Sequence, residues 1–534
     1  MSARTYLASS GAVLVALTAA SASAADAPAE PGTPSASTDP AAAAPSTSTP
    51  TPARAKPIDA EITSDTTAQF YEMRSPTGAT VISRRRITTT LGVAAYDLLD
   101  RADDPLAPTL TFRARLRYDA DAGGSAGEAN VASPDYIPGF SRGPADLMYG
   151  YIEGRRFLNG WLGFRLGRQY VTDALGWWSF DGGLVNVTTP YFFKIEAYGG
   201  LEQRGGLPFS SPRFERDGIW RGDRSELDNA YWRSYQPSNI APAFGAAIES
   251  AGFTWLHGRL TYRRVYNTGS SVASPFASTL REPTGYDGSR ISQERIGYAF
   301  DGTVPNIGGL KAGFAYDMYV KQMANVYASV DWFTSQTLTL SVDYDYYQPT
   351  FDGDSIWNFF MAMPMNDIGL RASWDPSSRL GIAGGLRGRA FTLQTENETF
   401  GTSPNNLSEA NYYPSSKLDP MGGANLAARY RIGEGVIGAR GVADLARSGD
   451  RVGLDVYGER TLETRFVLQA RTGIWQWNDK LREDRDATSF GYVLGAGYKL
   501  FPRSMVLADF QHDMNRIAGQ RFRTMLWLTI ALGK

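Results

Sequence analysis

The chain has no cysteine and only two histidines, His257 and His512, in 534 residues. The first absence excludes a disulfide scaffold, a thiolate zinc site and a cysteine nucleophile. The second leaves too few imidazoles for a histidine-rich metal site. Net charge is almost absent too, −2 from 53 cations and 55 acids, so the basic excess of a nucleic-acid-binding protein is missing. There is no glycine-rich loop followed by Lys-Ser/Thr to cradle phosphate, and no cofactor is expected. After residue 24 no apolar run reaches the ~20 residues that a membrane helix needs, and mean hydropathy is −0.30. Glycine (56), tyrosine (28) and tryptophan (12) are plentiful. An aromatic share of 12% excludes disorder over the whole length. Two classes remain, a large water-soluble β protein or an outer-membrane β-barrel.

The first residues read as an export signal. Arg4 supplies a positive start, Gly11 to Ala19 an apolar core, and Ala22-Ser23-Ala24 a small-residue cleavage site, as in a secretory signal peptide. A signal peptide over 1–24 is expected, with the mature chain starting at Ala25. Residues 25–57 are a Pro/Ala/Ser/Thr tract with almost no large apolar side chain. It cannot bury a core and should stay extended, so 25–65 is read as a linker.

From residue 66 onward the apolar residues alternate with polar ones. Leu110, Phe112, Ala114, Leu116 and Tyr118 share one face of an extended segment, with Arg113, Arg115, Arg117 and Asp119 on the other. Leu338, Leu340, Val342, Tyr344 and Tyr346 oppose Asp343 and Asp345 in the same way. Only a strand separates residues so, and an apolar face about five residues deep matches the ~9–11 residues of a tilted membrane strand. Trp161, Tyr170, Tyr191, Trp332, Tyr346, Trp374, Trp475 and Trp477 lie near strand ends, where interfacial girdles belong. Short turns near 302–306, 335–336, 375–379, 432–434, 460–463 and 501–504 alternate with longer polar segments at 120–144, 200–240, 266–291, 349–366, 392–419 and 476–488. The fold expected over 66–534 is an all-β, antiparallel up-and-down transmembrane barrel of about 18–22 strands. A raw count gives about 22, with 66–74 as the first strand and 183–188 and 242–249 as weak segments.

Charge on the polar faces should point into the lumen, because a cation facing mid-bilayer lipid costs roughly 2–4 kcal/mol. The pore-lining candidates are Arg113, Arg115, Arg117, Arg165, Arg259, Arg263, Lys311, Asp343, Asp345, Arg429, Arg431 and Arg471. Acids share those faces, and two roles stand open for each residue: pore lining, or bracing pairs along the wall. Residues 66–534 carry 50 cations and 49 acids, so selectivity has to come from local clustering. The aromatic-rich segment 200–240 is a candidate plug or rim cap.

Gly167-Arg168-Gln169, Trp177-Trp178 and Phe180-Asp181-Gly182 resemble a pattern of the alginate-export family of outer-membrane barrels. The resemblance covers about the first third of the barrel by motif. It implies an 18-stranded barrel with an arginine-rich lumen that passes an anionic polysaccharide. It adds Arg168, beside Arg165, as a pore residue. The function expected is a channel for polar or anionic solutes, porin-like, for saccharide or exopolysaccharide export. The alternative is a general diffusion porin. An outer-membrane hydrolase is disfavoured: His257 neighbours Arg259, His512 neighbours Asp513, and neither completes a base–nucleophile pair. The expected partners are outer-membrane lipid, a saccharide or other solute and a periplasmic export scaffold, with no nucleic acid. The barrel would act as a monomer or a trimer.

Overall fold

A computed structural model describes residues 59–99, 107–121, 145–203, 241–268, 271–272, 285–286, 289–350, 364–393, 417–447, 449–480 and 483–533. The strands are β1 (Asp59–Arg74), β2 (Thr80–Tyr96), β3 (Thr109–Asp121), β4 (Ala145–Phe157), β5 (Leu162–Asp173), β6 (Gly176–Thr188), β7 (Phe193–Glu202), β8 (Pro242–Ser250) and β9 (Leu256–Asn267). A two-residue ribbon, β10 (Ser271–Val272) with β11 (Gly285–Tyr286), follows. Then come β12 (Arg290–Val304), β13 (Gly308–Asp317), β14 (Gln322–Phe333), β15 (Leu338–Tyr347), β16 (Met365–Trp374), β17 (Leu380–Leu393) and β18 (Lys417–Ile432). The last are β19 (Gly435–Ala446), β20 (Gly449–Leu462), β21 (Phe466–Asp479), β22 (Ala487–Phe501), β23 (Ser504–Asn515) and β24 (Gly519–Leu532).

Leaving the ribbon aside, 22 strands form one antiparallel sheet, and β1 pairs with both β2 and β24. The sheet is therefore closed and has no free edge. This replaces the 18 strands implied by the family resemblance. The segments that looked weak in sequence, 183–188 and 242–249, belong to full strands β6 and β8. The first strand starts at Asp59, seven residues before the start read from the sequence. Its opening, Asp59-Ala60-Glu61, resembles the linker in composition, yet Ala60 and Glu61 already pair with Ala95 and Ala94 of β2. Residues 1–58, with the expected signal peptide and most of the expected linker, lie outside the described residues.

The two faces of the sheet differ as the alternation requires. Leu116, Leu166, Ile248, Val330, Ile368, Leu386, Leu426, Val452, Ile474 and Leu494 all stand exposed, Leu426 at 63%. Apart from Trp475 and Val493, their neighbours one residue away are glycine, alanine, polar or charged. An apolar exposed skin around a polar interior is the membrane-barrel pattern. The two rims differ as well. One carries only short connections, apart from 97–108. The other carries the segments 122–144, 203–241, 268–289, 348–364, 394–416 and 480–486, together with the short 75–79, 174–175, 318–321, 447–448 and 516–518.

Trp332 and Trp374 share the outward register of Val330 and Leu370 at the short-turn rim. Trp475 and Trp477 do not belong to a girdle. In β21 the outward residues are Phe466, Leu468 and Ile474, so the odd-numbered tryptophans point inward. Arg451 of β20 lies over the Trp475 ring at 5.4 Å. Gly453 pairs with Trp475, and a Cβ there would strike the indole.

Candidate pore lining and an inward hairpin

The inner wall is a mesh of ion pairs between adjacent strands and across one intervening strand. Arg115 bonds Asp65 of β1 and donates to Thr90 Oγ1 at 2.7 Å. Arg113 lies over the Tyr96 ring at 5.5 Å, and Arg117 of the same strand is 2% exposed. Arg259 donates to Glu196 at 2.5 Å and to Glu249 at 2.7 Å. Glu249 also meets Lys194 at 3.0 Å and His257 at 3.1 Å, and His257 meets Asp301 at 3.1 Å. Asp343 pairs with Arg371 at 2.9 Å. Asp345 faces Asp367 across the β15–β16 ladder, and Arg389 bonds Asp367. Arg471 pairs with Asp455 at 3.2 Å and Arg429 with Asp375 at 3.1 Å. Lys311 faces Asp301 across the β12–β13 ladder. At the short-turn rim Arg429 and Arg431 line a concavity with Asp375, Arg379 and Gly381. The register sets an acid beside most of these cations.

His512 stacks on Phe522 with ring centroids 4.3 Å apart. It lies on the outward register with Phe510 and Leu526, away from the lumen. Among the described residues no group of His, Asp and Glu could hold a metal ion, and no helix is long and apolar enough to cross a membrane.

The wall changes character at β5. From Leu162 to Arg168 this strand pairs with β4, and the β4–β5 register ends at Gly150 and Arg168. Beyond that point β5 pairs with β6 alone, from Gln169 opposite Phe180 to Asp173 opposite Gly176. The resulting hairpin turns inward over β7, β8 and β9. Its inner side carries Val171, Trp178 and Phe180, which pack with Leu184, Tyr198, Ala241, Ala243 and Val265. Phe180 is fully buried and stacks on Trp178 at 4.4 Å. Arg263 of β9 is 2% exposed, lies over the Trp178 ring at 5.3 Å and donates to the Leu175 carbonyl at 3.2 Å. A Cβ on Gly297 of β12 would press on Leu175 and Ala174, so the tip reaches across the inner face as far as β12. The bed beneath it is small: inward residues Ala243, Gly245 and Ala247 of β8.

The bend is built from glycine and a clamp. Gly167, Gly182 and Gly200 sit side by side across three strands. Gly167 has φ +126°, a backbone state that L side chains avoid. A Cβ at Gly182 or Gly200 would run into the neighbouring strand's backbone. Arg168 grips Asp181 with two prongs, Nε to Oδ1 at 2.7 Å and Nη2 to Oδ2 at 3.0 Å, and gives Nη1 to the Leu147 carbonyl at 3.0 Å. Gln169 donates to the carbonyls of Arg165 and Gly182. Arg168 shares the register of Leu166, an outward residue, so it is a clamp on the outer face and not a lumen residue as the family resemblance implied. Alternation along β5 was the missed signal: Arg165 and Arg168 are three apart and cannot share a face. Arg165 is on the inner side, bonded to Glu153 at 3.2 Å and over the Tyr151 ring at 5.0 Å. Tyr170, expected in a girdle, stands on the hairpin.

Of the segment 200–240, expected as a plug or cap, residues 204–240 lie outside the described residues. The inward element that the structure does describe is the hairpin formed by the end of β5 and the start of β6.

No family model matches the chain, and no curated protein sequence matches it. Solved barrels align with most of it. OccAB4 of Acinetobacter baumannii is 7% identical with a TM-score of 0.40, over 89% of this chain and 98% of that one. OpdK of Pseudomonas aeruginosa is 8% identical with a TM-score of 0.39, over 89% of this chain and 99% of its own. The structure of OpdK with vanillate gives 8% and 0.40 over the same shares. Likeness at this level assigns neither family nor substrate. The architecture itself defines the class: a closed transmembrane-type β-barrel with an apolar outer face and a charged inner one.

Proposed function

We propose that this protein is an outer-membrane channel for polar solutes, with saccharides as the preferred class, and that hairpin 169–180 sets its constriction. The observation that carries this reading is the departure of β5 from the wall at Arg168. Barrels of 16–18 strands already leave an aqueous channel, and 22-stranded ones are wide enough to require filling. An inward hairpin seated on β7–β9 narrows such a lumen while leaving the wall closed elsewhere. The long-loop rim then faces outward and the short-turn rim faces the periplasm. Because Arg115, Arg165, Arg259, Arg429 and Arg471 each meet an acid, the wall favours no single sign of charge strongly. Size and ring contact become the selective terms.

The test is conductance in planar bilayers. Purified protein should give stable steps, and replacing residues 170–179 by a short glycine linker should raise the unit conductance several-fold. A protein that stays silent with and without the hairpin overturns the reading. Export of an exopolysaccharide is the directional form of the same proposal. It requires loss of surface polymer when the gene is deleted and its return with the gene.

A further inference from the structure

One face of the hairpin packs on the wall; the other carries Tyr170 and Trp177. These two sit diagonally across the β5–β6 ladder, with ring centroids 6.2 Å apart. Tyr170 is 41% exposed and meets Tyr149 of β4 at 6.0 Å. Tyr149 meets Tyr151 at 5.8 Å. Tyr149 and Tyr151 oppose Arg115 and Arg113 of β3, so they share the inner face. The four rings run without a break from the inner face of β4 onto the hairpin. Arg165 ties the row together, lying over Tyr151 and donating to the Tyr170 carbonyl at 3.4 Å.

We propose that Tyr151, Tyr149, Tyr170 and Trp177 form a stacking rail for a linear oligosaccharide inside the barrel. A single aromatic ligand would need two rings around one cavity. Four rings at nearly constant spacing, tilted to one another by 41°, 60° and 32°, offer successive stations, which suits a chain of similar units that turns as it moves from one to the next. Each pyranose presents an apolar C–H face to a ring while its hydroxyls turn to the side, where Glu153 with Arg155 and Arg165, and Asp65 with Arg115, supply acceptors and donors. Interaction through ring faces tolerates sequence variation in the ligand and gives weak, repeated contacts, as transport requires. The inference rests on the channel reading above, and the experiment separates the two.

Binding of maltohexaose and cellohexaose to the detergent-solubilised, folded full-length protein is measured by calorimetry, with glucose, benzoate and a polyethylene glycol of similar size as comparisons. One or both hexasaccharides should bind, more tightly than glucose, benzoate or the polymer. Tyr149→Ala, Tyr170→Ala and Trp177→Ala should each weaken binding about tenfold, whereas Tyr170→Phe and Trp177→Phe should stay near wild type, since the ring persists. Folding of every variant is checked by heat-modifiable migration. The rail is overturned if neither hexasaccharide binds, if the alanine variants bind equally well, or if benzoate binds more tightly. Hexasaccharide binding in a protein that conducts no ions keeps the rail and sinks the channel. Conductance without hexasaccharide binding does the reverse.

Discussion

Arg168 and Asp181 face each other as a two-pronged ion pair on the outer side of the barrel, at the level where β5 parts from β4. The third nitrogen of Arg168 takes the carbonyl of Leu147, which the departing strand no longer serves. One side chain thus closes the outer seam that the inward hairpin opens. Forked pairing of this kind is strong and directional.

Breaking that clamp should weaken the barrel. Asp181→Asn leaves the guanidinium without its carboxylate on a lipid-facing register, where an unpaired cation costs about 2–4 kcal/mol near mid-bilayer and less toward the interface. We expect a lower urea midpoint for release of the folded form. The double variant Arg168→Leu/Asp181→Leu should recover much of the loss, since leucine suits that face. Equal damage from single and double variants would rule out the ion pair as the cause.

The glycine row should tolerate no side chain. Gly182→Ala or Gly200→Ala places a methyl against the backbone of the adjoining strand. Because backbone cannot move aside as a side chain does, we expect several kcal/mol of destabilisation or a displaced hairpin. Gly422→Ala in β18, where a Cβ meets nothing within 4 Å, is the matched control and should be silent in yield and heat-modifiable migration.

The seat of the hairpin depends on Arg263. Arg263→Ala removes the contact over Trp178 and the bond to Leu175. A desolvated cation–ring contact is worth roughly 2 kcal/mol, enough to change the hairpin's residence on the wall. Single-channel records should show added open-state noise, with the barrel itself still folded.

The near balance of charge in the lumen depends on the acids. Glu249 holds Lys194, His257 and Arg259 together. Glu249→Gln leaves Lys194 and Arg259 less compensated inside the lumen. The reversal potential in a salt gradient should move toward anion selectivity, and Asp65→Asn beside Arg115 should move it the same way. No shift in either would mean that this stretch of wall lies off the ion path.

Much of the fold was legible along the chain. The alternation Leu110–Tyr118 and Leu338–Tyr346 marks strands, and most turns fall within two residues of their expected places, as at 375–379 and 433–434. Period-two patterning reports a face directly, because each strand residue has only two directions to choose from. The site was less legible. Arg168, Trp475 and Trp477 were read from type and neighbourhood, whereas their direction depends on which residues of the same strand face lipid. The pairing of Arg115 with Asp65, 50 residues apart, depends on register, which no local pattern states.

The sequence by itself determined a closed-barrel composition: alternating faces, a near-neutral charge balance, tight turns opposite long segments, and neither cysteine nor enough histidine for a thiol or imidazole centre. It also held the glycines of the bend, written as Gly167, Gly182 and Gly200 but separated along the chain. Only the tertiary structure decided that these three meet side by side, that β5 leaves β4 there, and that the motif around Arg168 makes an outer clamp and an inner hairpin in place of a basic pore ring. The physical reason is that closure and register are collective. A strand's partners, and the acid that faces a given cation, are fixed only when all 22 strands have found their neighbours.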